Sequence, residues 1–171
     1  MRLLKRYALP LVSLVAVEQL IKLIIRVWFF EVNFSILPGL LAFHPKVNAN
    51  LSWGGNYLPL LANPVLINLM NLLVIALLLS GYRFYCSRVT PPGKGAYALF
   101  LLGMAGSVCS LIDKLAWGGS LDYIQLPRLF TFDLKDCYLT AFLLLFLYLG
   151  TKYRKEISIK DYLNFCLRRR G

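Results

Sequence analysis

Four apolar segments constrain the fold of this 171-residue chain more than any other feature. Three of them, at about residues 7–30, 59–80 and 96–115, supply the roughly 20 helical residues that a bilayer core requires. The fourth apolar run, 138–150, is too short alone, so its helix must recruit polar residues and extend over about 134–152. The sequence therefore predicts an all-α membrane protein with four transmembrane helices, forming a single integral membrane domain over residues 1–171.

Ionisable residues interrupt the first apolar segment and distinguish it from a cleaved signal peptide. Glu18, Lys22 and Arg26 recur at every fourth position, which predicts that they share one helix face, and no small-residue cleavage site follows them. Ionisable groups inside a membrane are rare and usually face the bundle interior. The spacing favours an ion pair that fixes helix packing, and a direct role at a site remains open.

The positive charges mark the topology. The net charge is +11, and thirteen of the 19 Lys and Arg residues lie at the N-terminus, in the second connection and after Gly150. Cytoplasmic loops are enriched in such residues. We therefore expect both termini, including a basic tail at 153–171, to be cytoplasmic, and we expect membrane lipid rather than nucleic acid as a partner.

The first outward-facing connection, residues 31–58, contains alternating and β-prone stretches broken by Pro and Gly. We expect this connection to form a small extracytoplasmic, β-rich cradle. The third connection also faces outward, and its acids Asp113, Asp122, Asp133 and Asp136 lie at the same depth. Any one of them could be a solvated loop charge.

Two carboxylates held close together in a poorly solvated place share one proton, because both cannot ionise cheaply. The ionised partner can then activate water, and the protonated partner can donate to a carbonyl oxygen, as in aspartic proteases. This chemistry requires no metal or other cofactor. The four cysteines lack metal-ligand spacing, and the phosphate-loop, zinc-hydrolase and serine-elbow motifs are absent from the sequence.

The chain resembles lipoprotein signal peptidase, or signal peptidase II, a bacterial family of four-helix intramembrane aspartic peptidases. Members typically carry D-Q-x-x-K, N-x-G-A-A-F-G, G-N-x-x-D-R, V-V-D-F and F-N-x-A-D, in that order. The corresponding stretches here, also in that order, are EQLIK (18–22), NANLSWG (48–54), CSLIDK (109–114), SLDY (120–123) and FDLKD (132–136).

The resemblance implies an endopeptidase of the bacterial inner membrane, with no cofactor and active as a monomer. Such an enzyme removes signal peptides from diacylglyceryl-modified prolipoproteins, on the N-terminal side of the lipidated cysteine. Asp122 and Asp136 fall on the catalytic dyad of the family. The implied supporting or substrate-binding residues are Asn48, Asp113, Ser110, Lys114, Glu18, Lys22, Asp133 and Trp53.

Several positions depart from the family pattern: Glu18 stands for Asp, Asn50 for Gly, Ser110 for Asn, Lys114 for Arg and Asp133 for Asn. The change from Arg to Lys removes a planar bidentate donor. The change to Asp adds a third carboxylate, which we expect to raise the pKa of the shared proton further.

These departures leave alternatives open. The chain could be a divergent peptidase with altered substrate or pH preference. It could instead be a catalytically weak or inactive paralogue that binds lipidated peptides as a membrane accessory protein. A third alternative, a scaffold or transporter subunit, depends on the polar face of the first helix alone.

Overall fold

The structure, a computed structural model, describes residues 2–48, 63–89, 93–152 and 158–168. Most of these residues are helical. The helices are α1 (Arg2–Ile24), which continues into a π-helical segment (Ile25–Phe29), α2 (Pro64–Arg88), α3 (Lys94–Ala116), α4 (Leu134–Lys152) and the short α5 (Ile159–Arg168). The strands are β1 (Phe34–Leu37), β2 (Leu41–Asn48), β3 (Ser120–Leu126) and β4 (Phe130–Phe132).

Four helices in the described ranges are long and apolar enough to cross a membrane, at Ala8–Phe29, Pro64–Arg88, Lys94–Ala116 and Leu134–Lys152. The four predicted helices are thereby confirmed. Large apolar side chains are exposed along α2 and α4, among them Leu73 and Leu144, as expected of helices that are apolar all round.

The second helix differs from its predicted bounds of 59–80. It begins at Pro64 because the Asn63 side chain caps it, accepting hydrogen bonds from the backbone N–H groups of Val65 (2.9 Å) and Leu66 (3.2 Å). Proline suits this first position because it has no N–H to leave unpaired. The helix continues to Arg88, and Phe84 in this extension is buried.

The π-helical segment changes the course of the first helix. Glu18 and Lys22 are buried, as expected, but the prediction that Arg26 shares their face is wrong. A π turn holds more residues than an α turn and so rotates the side chains that follow. Arg26 is exposed, with its guanidinium carbon 5.0 Å from the centre of the Phe30 ring.

Helix α3 contains more buried residues than any other described element, and it packs closely against α4. The contact uses small residues, because a Cβ atom at Gly106 would lie 2.6 Å from Cδ2 of Leu139, and one at Gly103 would lie 2.8 Å from Cδ2 of Phe142. Small residues at such positions let helix backbones approach in a membrane. This packing places the C-terminal end of α3 beside the first turn of α4.

A four-stranded antiparallel sheet, in the order β1-β2-β3-β4, joins the two connections. The first connection supplies β1 and β2, but β3 and β4 come from the segment between α3 and α4, so the prediction of a sheet from the first connection alone was incomplete. Strand β2 is paired with β3 in a register that sets Lys46 opposite Asp122 and Asn48 opposite Ser120. The pairing satisfies the backbone groups of both strands.

The predicted basic tail contains a helix, α5, that was not predicted from the sequence. Helix α5 lies against α2, where the Tyr162 and Ser80 hydroxyls are 2.6 Å apart. The aromatic rings of Tyr162 and Phe165 also contact the ring of Phe84.

Candidate active site

The predicted aspartates meet between strand β3 and the start of helix α4. Asp122 lies on β3, Asp136 lies in the first turn of α4, and Asp133 immediately precedes that helix. One carboxylate oxygen from each of the three lies within 4.8 Å of the others. The fold thus brings the two proposed dyad members together, although they are fourteen positions apart in the sequence.

Asp133 and Asp136 are held by reciprocal hydrogen bonds at the start of α4. The backbone N–H of Asp136 donates to Oδ1 of Asp133 (3.1 Å), and the backbone N–H of Asp133 donates to Oδ2 of Asp136 (3.3 Å). This is the arrangement of a capping box. The positive end of the helix dipole also favours carboxylates here. The Asp136 side chain is therefore positioned by the backbone while it stays 42% exposed.

Asp122 occupies a more enclosed position. It is 7% exposed, and the Ser120 hydroxyl lies 2.7 Å from its Oδ1 atom. Ser120 also contacts Asp113 and Asp133, but one hydroxyl has one proton to donate, and the contact to Asp122 is the shortest. Burial raises the pKa of Asp122, and the nearby Lys135 ammonium opposes that rise only in part.

Lys22 joins three buried carboxylates. Its Nζ lies 2.9 Å from Glu18, 2.6 Å from Asp113 and 2.7 Å from Asp133. An ammonium has three protons, so each carboxylate can receive one. The predicted Glu18–Lys22 pair is present, and it extends into a network that ties α1 to α3 and to the start of α4.

A second buried lysine, Lys135, was not identified as a site residue from the sequence. Its Nζ lies in very close contact with Asp133 and is 2.5 Å from Ser120 Oγ and 3.3 Å from Asp113. It also lies 3.8 Å from Asp122 and 4.0 Å from Asp136. The motif F-N-x-A-D has alanine at this position, and this mismatch was the signal that could have revealed it.

The two lysines change the expected effect of Asp133. Burial alone would raise the pKa of this carboxyl, but Lys135 and Lys22 outweigh it and lower the pKa of Asp133 below its ordinary value. The negative charge of Asp133 does raise the pKa of Asp122, as expected, but less than Lys135 lowers it. The predicted third carboxylate is therefore ionised, and the ammonium groups of Lys135 and Lys22 balance its charge.

Asp113 supports the cluster from α3. It is fully buried, and the Gln19 amide donates to its Oδ1 atom at 3.4 Å. The Trp117 indole N–H in turn donates to Oε1 of Gln19 at 3.0 Å. Neither Gln19 nor Trp117 was identified as a site residue from the sequence, although Gln19 is the second residue of EQLIK.

Ser110 and Lys114 form a separate polar group on α3. The Lys114 ammonium donates to the Ser110 hydroxyl at 2.6 Å and to the Ser110 backbone carbonyl at 3.2 Å. The Asn71 amide of α2 donates to the same hydroxyl at 3.3 Å. These contacts link α2 to α3, so the predicted supporting pair lies beside the carboxylate cluster and outside the ion pairs described above.

Asn48 lies at the end of β2, opposite Ser120 in the strand register. A Cβ atom at Gly119 would be 2.8 Å from the backbone oxygen of Asn48, so glycine permits this close approach of the two chain segments. The register thus places Asn48 next to the cluster. Trp53 and Asn50 lie outside the described residues.

The oxygen atoms of Asp122, Asp133 and Asp136 are close enough to act together on a hard cation. The ammonium groups of Lys22 and Lys135 already contact Oδ2 of Asp133. We therefore interpret the cluster as an acid group with internal counter-ions, and assign no metal to it.

Comparisons with known proteins agree with this architecture. A family model described as signal peptidase (SPase) II matches residues 11–151. A bacterial membrane enzyme solved in meso at 2.3 Å shares 20% identity and a TM-score of 0.70, over 91% of this chain and 94% of that one. Another such enzyme, solved at 1.9 Å, shares 18% identity and a TM-score of 0.63, over 90% and 95%. These likenesses show a shared fold. No curated protein matches the chain.

Proposed function

The chain belongs to the signal peptidase II family, and on that premise we propose that it is an intramembrane aspartic endopeptidase whose catalytic dyad is Asp122 and Asp136. The family processes lipoprotein signal peptides in membranes. We further propose that the substrates are diacylglyceryl-modified prolipoproteins, cut on the N-terminal side of the lipidated cysteine.

One observation carries this proposal. Carboxylate oxygens of Asp122 and Asp136 lie within 4.8 Å of each other, one acid buried on a strand and the other half-exposed on a helix. Different environments separate the proton affinities of two neighbouring acids, which assigns them different roles.

In the proposed mechanism the two acids share one proton, and in the reacting state Asp122 carries it while Asp136 is ionised. Asp136 removes a proton from a water molecule, and the water oxygen attacks the carbonyl carbon of the scissile amide. Asp122 donates its proton to the carbonyl oxygen, and a neutral gem-diol forms. The C–N bond then breaks as Asp136 returns its proton to the leaving nitrogen, and one diol hydroxyl gives its proton back to Asp122.

The positioning of the dyad depends on the residues around it. Ser120 directs a hydrogen bond to Asp122, and the capping box with Asp133 orients Asp136. Asp113, Glu18 and Lys22 brace α1 against α3 behind the cluster. Geometry of this kind lowers the barrier because the reacting groups need little rearrangement.

The proposed orientation follows from the charge distribution. The basic segments at the N-terminus, between α2 and α3, and after α4 support a cytoplasmic location for both termini. The sheet and the dyad would then face the extracytoplasmic side of the bacterial inner membrane, where Asn48 could contact the substrate and a single chain would suffice. The lipid-facing helices would let a diacylated substrate approach from within the bilayer.

Cleavage of a diacylglyceryl-modified precursor by the purified protein in lipid-containing detergent tests the function. We expect Asp122→Asn and Asp136→Asn each to lower kcat by about 10²–10⁴-fold. The double variant should lose little more than either single variant, because the two acids act as one unit. Asp161→Asn, which changes an exposed carboxylate on α5, is the matched control and should leave the rate unchanged. Undiminished cleavage by the double variant would refute the assignment.

A second candidate function is supported by the two lysines in the cluster. Lys22 and Lys135 favour ionised carboxylates, and a dyad without its shared proton cannot protonate the carbonyl oxygen. The protein would then be a weak or inactive accessory protein that binds lipidated peptides. Binding of the same precursor without product at any pH between 4 and 9 would support this alternative over the peptidase.

A further inference from the structure

We propose that Lys135 is a positioning residue that sets the pH range in which the dyad carries its single proton, and that Asp133 limits this effect by holding the Lys135 ammonium away from the dyad. The inference rests on the proposed function, because it concerns the same two carboxylates. It follows from the position of one buried ion pair within the cluster.

Lys135 is buried close to both carboxylates of the dyad. The residue is 5% exposed, and its Nζ lies 3.8 Å from Asp122 and 4.0 Å from Asp136, so its charge acts on both acids. These separations are longer than hydrogen bonds. Lys135 therefore influences the dyad through its electric field, which favours the ionised form of each carboxylate.

The Lys135 ammonium makes its closest contacts with groups outside the dyad. Its close partners are Asp133 and Ser120 Oγ, and Asp113 lies 3.3 Å away. The protons of Lys135 are thus directed at these groups and away from Asp122 and Asp136. Lys135 is therefore not the proton donor of the reaction, and the dyad must still hold one proton itself.

Asp133 holds the Lys135 ammonium in place. Its Oδ2 atom is shared by Lys135 and Lys22, which anchors the Lys135 ammonium beyond hydrogen-bond distance of Asp122 and Asp136. Without this anchor the flexible lysine side chain could form a direct ion pair with a dyad carboxylate. The pair Asp133–Lys135 thus contains two opposite influences on the dyad: the lysine weakens proton binding, and the aspartate strengthens it.

Other charged groups face the dyad and Lys135 from the elements packed around them. They are Glu18 and Lys22 on α1, Asp113 and Lys114 on α3, and Lys46 on β2, which is opposite Asp122 but exposed. The titratable Cys109 and Tyr123 also lie near the cluster. All these groups stay unchanged in the variants below, so differences among variants report on the Asp133–Lys135 pair.

The test is the pH dependence of kcat/KM on the lipidated precursor for the wild type, Lys135→Met, Asp133→Asn and the charge-matched double variant. We expect Lys135→Met to shift the alkaline limb of the kcat/KM profile to higher pH, by about one pH unit or more, because the dyad then keeps its proton to higher pH. Asp133→Asn should move it down, and the double variant should lie between the two single variants. Lys152→Met, at the far end of α4, is the matched control and should leave the profile unchanged.

A purely structural role for the pair makes a different prediction. Both single variants would then lower the rate, and neither would move the limb, so unshifted profiles overturn the inference. Shifts of both single variants in the same direction would also overturn it. Lys135→Arg keeps the charge and should retain the wild-type limb, which separates charge from packing.

A second readout keeps this inference distinct from the proposed function. Infrared difference spectra of the purified protein without substrate follow the protonated carboxyl band that Asp122→Asn and Asp136→Asn remove. We expect this band to persist to higher pH in Lys135→Met and to disappear at lower pH in Asp133→Asn. An inactive wild type with these shifts would refute the peptidase but support the inference, whereas an active wild type without them would refute the inference alone.

Discussion

Replacing Lys22 with methionine tests whether the ion network holds the helices together. The change removes an ammonium that contacts Glu18, Asp113 and Asp133, and the ion-paired side chains are at most 1% exposed. Methionine has a similar length and fills the same space without charge, so the variant isolates the electrostatic loss. A buried carboxylate that loses its counter-ion must stay charged at a high cost or take up a proton.

The contacts that remain set the size of the effect. Lys135 still lies near Asp113 and Asp133, so these two acids keep one cation, whereas Glu18 loses the ion pair it has with Lys22. Removing one partner of a buried pair typically lowers the free energy of unfolding by about 3–5 kcal/mol. For a chain of this length that corresponds to a fall in Tm of about 6–20 °C.

The loss of stability in Lys22→Met should depend on pH, and the lowered pKa of Asp133 decides whether the loss grows or shrinks as the pH falls. The pKa of this carboxyl is lowered in the folded protein, so its contribution to stability is present above its unfolded pKa of about 4 and is lost as the pH falls through the folded value. Lys22→Met weakens that contribution. The difference in stability between the wild type and the variant should therefore be largest near neutral pH and narrow in acid.

Thermal unfolding in detergent, followed by tryptophan fluorescence between pH 3 and 8, measures this difference. Lys160→Met changes an exposed lysine on α5 and should alter stability by less than about 0.5 kcal/mol. The double variant Glu18→Gln, Lys22→Met removes the stranded charge and should recover part of the loss. A Lys22→Met protein within about 1 kcal/mol of the wild type at pH 7, or one equally destabilised at every pH, would refute the reasoning.

Two further predictions concern helix packing and orientation. Gly106→Val places a side chain where Leu139 now lies, and it should lower the free energy of unfolding by about 1–3 kcal/mol in the same assay. Gly81→Ala is the control, because an added Cβ there meets nothing within 4 Å and should leave stability unchanged. Equal losses in the two variants would contradict a close contact between α3 and α4. In cells whose outer membrane is permeabilised, an impermeant thiol reagent should label Arg128→Cys in the turn between β3 and β4 but not the exposed Cys166 of α5, and labelling of Cys166 alone would reverse the proposed orientation.

Much of the site followed from the order of residues along the chain. Asp122 and Asp136 flank the same connection, so alternating helices bring them to the same membrane boundary, and the five ordered motifs assigned them to one dyad. Glu18 and Lys22 are one helical turn apart, so their pairing follows from local geometry. These features depend on spacing within or next to one helix, and spacing can be read directly from the sequence.

Other features depend on contacts between distant segments. Strand β3 pairs with β2 from the first connection, and β4 pairs with β3, so the sheet depends on two segments that are far apart in the sequence. The π-helical segment turns Arg26 away from Lys22, although the four-residue spacing predicts a shared face. Helix α5 packs against the ring of Phe84 on α2, and its position on that helix is a contact between distant segments.

The sequence by itself determined the four membrane spans, because the length and hydropathy of a segment decide whether it can cross a bilayer. It also determined which acids share one end of the bundle. Only the tertiary structure decided how these acids are charged. Lys135 lies next to Asp136 in the chain, but its ammonium points into a buried cluster formed by α1, α3, β3 and α4, where ion pairing outweighs desolvation for Asp133 while burial prevails for Asp122. That balance depends on distances of a few ångströms in three dimensions, because Coulomb energies depend on separation and on burial, and not on order along the chain.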